Sequence, residues 1–96
     1  MNVGKLYQVK KYFWLLYPSK DIAALVAAEG GGAALDAALD AVYYSKKYNC
    51  NVSYISPNSI FCFLEQDGNF MKILSTNGEL GWIIYPKKGC IEEVNH

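Results

Sequence analysis

Ninety-six residues, 52% hydrophobic and 15% aromatic, suffice for a single folded domain (1–96) and exclude both a two-domain chain and a disordered one. Nine basic residues balance nine acidic ones, and every basic residue is a lysine. With no arginine fork for phosphates or guanine edges and no net basic charge, nucleic acid is an unfavoured partner, and apolar runs such as Phe13 to Tyr17 fall far short of the roughly 18 residues of a membrane span.

The opening MNVGK leads directly into an alternating pattern, without the basic and then apolar stretch of a secretory signal, so a cytoplasmic location is expected. Val3 to Tyr17 is rich in β-branched and aromatic residues and reads as one strand. Tyr7, Val9, Phe13 and Leu15 alternate with Gln8, Lys10 and Tyr12, Lys11 interrupts the face and predicts a bend or bulge there, and Pro18 ends the run.

Composition changes abruptly from Ser19 to Tyr48, where nine alanines lie between Ala23 and Ala41 around Gly30, Gly31 and Gly32. Alanine has the best helix propensity, Ser19 suits a cap with Asp21 behind it, and the glycines stop the helix. A second helix is predicted from near Ala33, with Leu35, Leu39 and Val42 on its apolar side, Asp36 and Asp40 on its solvent side, and Lys46 and Lys47 in its last turn. The whole helical insertion runs from about 20 to 47. The glycine triplet lacks the Lys and Ser or Thr of a phosphate-binding loop.

Cys50 to Val94 holds four strand-like runs, NVSYIS, SIFCFLE, FMKILS and LGWIIY, with CIEEV as a short last strand able to close a barrel. Asp67–Gly68 and Asn77–Gly78 predict tight hairpins, the second a type I′ turn with both residues at positive φ. Ile60, Cys62 and Leu64 share one face and Phe61 and Phe63 the other, and Trp82 and Ile84 oppose Ile83 and Tyr85. Both faces are thus apolar, and the alanine-rich helices are the material to cover one of them.

Asp67 to Ile83, DGNFMKILSTNGELGWI, resembles the centre of an SH3-like barrel of the bacterial type, and the likeness extends over about residues 50–94. Phe70 stands where that family often has tryptophan, Asn77 and Gly78 stand at the distal hairpin, Gly81 and Trp82 match a GW pair, and IEEV at 91–94 resembles the closing strand. The resemblance implies a mainly β fold, a small antiparallel barrel with the helical segment inserted after its first strand. The motifs that bind proline-rich peptides are absent, so that ligand does not carry over. The chain as a whole also resembles small proteins of marine phages and cyanobacteria.

The function expected is recognition of a protein or peptide partner, with Trp14, Tyr17, Tyr54, Phe70 and Tyr85 as the aromatic contacts, although aromatics in so small a domain mostly fill its core. Assembly through self-association, as a homodimer, is the second expectation, because small sheets expose edges and the net charge is zero. An enzyme would have to pair Cys50 or Cys90 with His96, a terminal residue poorly held for general-base work, so none is expected. The pairs Lys10–Lys11, Lys46–Lys47 and Lys87–Lys88 read as solvated surface. Cys50, Cys62 and Cys90 leave one thiol unpaired under any internal disulfide scheme, in keeping with a reducing compartment. With His96 they stand at intervals of 12, 28 and 6, without the close pairs of a zinc site, so neither metal nor cofactor is expected, and Cys62 reads as the buried thiol.

Overall fold

The run Val3 to Tyr17 is not one strand but two, β1 (Leu6–Val9) and β2 (Phe13–Leu16), and they belong to different sheets. This is seen in a computed structural model that describes residues 2–31, 33–34, 36–86 and 89–94. The break falls at Lys10–Tyr12, where the bend was expected. Tyr12 takes the left-handed region at φ 65°, and the Trp14 indole Nε1 donates to the Lys11 carbonyl at 3.0 Å, holding the corner.

The expected meander follows: β5 (Ile60–Asp67), β6 (Phe70–Ser75) and β7 (Leu80–Ile84), preceded by a short β4 (Ser53–Ile55) and followed by β8 (Ile91–Glu93). One sheet has the order β7-β6-β5-β1-β8, and the other has β2 between β4 and β3 (Ala33–Ala34). Every ladder is antiparallel. Among the described residues the sheet does not close into a barrel. The last strand lies outside β1, at the edge opposite β7, and the two sheets meet through a bridge between Tyr17 and Trp82, each amide donating to the other's carbonyl at 2.8 Å.

Both hairpins form, with turns other than those expected. Asp67 pairs with Phe70, so the loop is Gly68–Asn69 with glycine at its first position and φ 61°, the placing of a type II′ turn. At the second, Gly78 alone is left-handed, at φ 82°. Ser75 accepts from the Gly78 amide at 3.0 Å and donates to Glu79 at 2.9 Å, giving a three-residue loop, Thr76 to Gly78.

Helix α1 (Lys20–Ala28) starts as predicted, the Ser19 hydroxyl accepting from the Ile22 amide at 3.3 Å. Helix α2 (Ala37–Lys47) starts later than Ala33, because Ala33 and Ala34 pair with Trp14 and Phe13. Asp36, exposed as expected, is therefore the cap of this helix, and its carboxylate accepts from the Leu39 amide at 3.1 Å. Gly32, Leu35, Lys87, Lys88 and His96 lie outside the described residues.

Two apolar cores result. Between the sheets lie Tyr7, Val9, Phe61, Phe63, Met71, Ile73 and Ile83 against Trp14, Leu16 and Ile55. On the far side of β2, Leu15 and Tyr17 meet Ala23 and Val26 of α1 and Ala37 and Ala41 of α2, with Phe70, Trp82 and Ile84 at the margin. The helices thus cover a second apolar face as expected, but the apolar side predicted for α2 is wrong. Ala37 and Ala41 point inward, and Leu39 and Val42 are 66% and 52% exposed. Opposite Leu15 and Tyr17, α2 makes its closest approach through the methyl groups of Ala37 and Ala41, with Tyr44 packed at the margin. The thiols are also exchanged: Cys90 is the buried one, whereas Cys50 and Cys62 are half-buried, all three free.

Candidate functional site

The aromatics proposed from sequence divide. Trp14 and Tyr17 are core residues, 5% and 1% exposed, and have almost no ring surface to offer a partner. The Tyr17 hydroxyl is buried without a hydrogen-bond partner among the described residues, which costs about 1–3 kcal/mol. Burial first, then the nearby Tyr44 and Asp40, holds this phenol well above its ordinary pKa. Phe70 is half-buried beside the second core. Tyr54 and Tyr85 are exposed, and Tyr54 lines two clefts.

Tyr54 sits in the middle of β4. Pairing with β2 matches Trp14 to Ile55, Leu15 to Tyr54 and Leu16 to Ser53, so Tyr54 shares the Leu15 face, toward α2, and its ring meets Phe13 edge-on at 5.9 Å. Strand β4 is the last of its sheet. Among the described residues its backbone is bonded to β2 only, so its outer side carries no strand partner.

Clefts flank that free edge. On one side a groove of about 480 Å³ lies between α2 and β4, formed by Ala38, Ala41, Val42 and Ser45 across from Val52 and Tyr54, with Lys46 and Asn51 at one end. On the other, a cleft of about 110 Å³ separates Tyr54 and Ile55 from the β6–β7 turn, and a neighbouring one of about 220 Å³ opens beside Pro18 and Leu80. Glu79 lines both, accepting from the Ser53 hydroxyl at 2.6 Å.

The frame of the groove is held by side chains. The Ser45 hydroxyl accepts from the Val52 amide at 2.9 Å, tying the helix to the start of β4. At the end of α2, Lys47 binds Glu29 at the end of α1, and the Tyr48 hydroxyl donates to the same carboxylate at 2.6 Å. Hydrogen bonds from Lys47 and then Tyr48 hold the Glu29 carboxyl below its ordinary pKa, and the bond to Glu29 raises Lys47 and Tyr48 above theirs. Lys46 has no ion-pair partner among the described residues.

Sequence reading found Tyr54 but missed Val42, Lys46 and Ser53. Val42 and Lys46 stand one helical turn apart, which places them on one side of α2, but nothing local says that this side meets a strand edge. Among the described residues no group of three or more His, Cys, Asp and Glu could hold a metal, and no helix is long and apolar enough to cross a membrane. No family model, curated protein or solved structure matches this chain.

Proposed function

We propose that this protein is a small binding domain, a partly open SH3-like barrel, that takes an extended segment of a protein partner along the free edge of β4 in the groove against α2. The SH3-like reading is supported by the β5–β6–β7 meander with the last strand returned beside the first, and by the bridge from Tyr17 to Trp82 that draws the two sheets together. The observation that carries the binding reading is the free edge beside an apolar groove. An added strand would find unpaired backbone groups for affinity, and side-chain pockets at Val42 and Tyr54 for selectivity. The compartment proposed is the cytoplasm, in keeping with three free cysteines.

The test is selection of displayed random peptides on the protein, followed by amide shift mapping of the winners. Shifts concentrated on Ser53–Ile55 and on the Ala38–Lys46 side of α2, lost in Val42→Asp, are the expected result. Winners that ignore this substitution would place recognition elsewhere and sink the reading.

Self-association is a second reading, favoured by Leu39 and Tyr43 standing 66% and 55% exposed beside the groove on a chain of zero net charge. Sizing chromatography across a concentration series separates the two. A mass that doubles with concentration, and stays single in Val42→Asp, would assign the edge to a second copy of the chain.

A further inference from the structure

The proposed strand site has a direction and a charge. The Val52 amide bonds the Ser45 hydroxyl near the end of α2, and the link 48–52 is short, so the chain turns back on itself there, which puts Lys46 near the Asn51 end of the groove and Ala38 toward the Tyr54 end. Every existing ladder in the fold is antiparallel. A segment added antiparallel to β4 would enter beside Ile55 and leave beside Asn51, its C-terminal side arriving at Lys46.

Among the described residues that line the groove, Lys46 is the one with a charge and none is acidic. Its neighbour Lys47 is engaged by Glu29, whereas Lys46 has no ion-pair partner among the described residues. The carbonyl end of α2 carries roughly half a negative charge, which the full charge of an ammonium group outweighs at the rim. The groove is therefore apolar along its length and positive at one end.

We infer that the partner segment runs antiparallel to β4, sets apolar side chains two residues apart against Val42 and Tyr54, and places a carboxylate on its C-terminal side at Lys46. The inference rests on the strand-addition reading and adds to it the class of segment. That carboxylate is either the end of a chain or an Asp or Glu side chain, because an ammonium group on a flexible stem serves both as a point charge. The spacing of two follows from the alternation of side chains along a strand.

The experiment uses two libraries of random heptapeptides on the intact protein, one with free C-termini and one tethered at both ends. Winners are measured against wild type, Lys46→Gln, Lys46→Glu and Val42→Asp. The expected winners carry alternating apolar residues followed by a carboxylate. They weaken roughly fivefold on Lys46→Gln, the size of a partly exposed ion pair, and further on Lys46→Glu. Winners from the free-end library alone identify a chain terminus as the carboxylate, and winners from both identify an acidic side chain. Winners that are blocked by Val42→Asp, yet lack a carboxylate or are indifferent to both Lys46 substitutions, overturn the charge and direction while leaving the groove in place. Winners indifferent to Val42→Asp, or no enrichment from either library, overturn the strand site and this inference with it.

Discussion

The two cores of this molecule are built on opposite rules. Between the sheets, large side chains such as Phe61, Phe63, Met71 and Ile73 fill the space, each at most 2% exposed. Under the helices, α1 and α2 present mainly small residues, Ala23, Ala37 and Ala41 beside Val26, to Leu15 of β2 and the adjoining Tyr17, while Leu25, Leu39, Val42 and Tyr43 face outward. A helix that approaches a sheet through methyl groups buries little area of its own. Its stability then depends on caps, on the Glu29–Lys47 link and on the volume of the facing strand. The same arrangement releases the larger apolar residues of α2 to the surface, where they border the free edge of β4.

The sharpest separation of the two cores comes from truncation in the first. Phe61→Ala is expected to cost about 3–5 kcal/mol in denaturant unfolding, enough to unfold a domain of this size at ordinary temperature. A loss under 1 kcal/mol would mean that the space between the sheets is not close-packed.

Enlargement should hurt the second core. Ala37→Leu adds apolar area and keeps a strong helix former, yet we expect a loss of about 1–3 kcal/mol, because the close-packed core around Leu15 and Tyr17 has no space for the added carbons. A stabilised variant would show that α2 is not seated tightly on β2 and would break the contrast.

Removal of the α2 cap acts locally. Asp36→Ala should cost about 1 kcal/mol and raise amide exchange through α2 and into β4, leaving protection in β5–β6–β7 unchanged. Equal loss of protection in both regions would mean that the helices and the meander open as one unit.

The smallest effect is electrostatic and depends on pH. The folded pKa of Glu29 lies below its unfolded value, so its contribution is present above the ordinary carboxylate range, about 4.3, and fades as pH falls through the lower folded value. The folded pKa of Lys47 is raised, so the same link is kept until pH climbs through that raised value. The melting difference between wild type and Glu29→Gln should therefore be flat near pH 7 and close below about pH 4. A difference that persists at pH 3 would assign the effect to packing.

Strand and turn positions in residues 50–94 were legible from the chain alone, because alternation and hairpin chemistry are local properties. The same holds for the Ser19 cap and the bend near Lys11. What the residues by themselves determined was thus a mainly β domain carrying an alanine-rich helical insert. Turn type was not legible, since register decides which residues are central in a loop, and pairing across strands sets register. Nor was the buried side of α2. Alanines 37 and 41 and the larger Leu39 and Val42 both suit a helical period, and only the bulk of Leu15 and Tyr17 across the gap selects the alanines. Tertiary structure alone decided that Tyr17 is core, that Tyr54 is not, and that β4 ends its sheet with one side unpaired, because an edge is defined by the strand that is missing beside it.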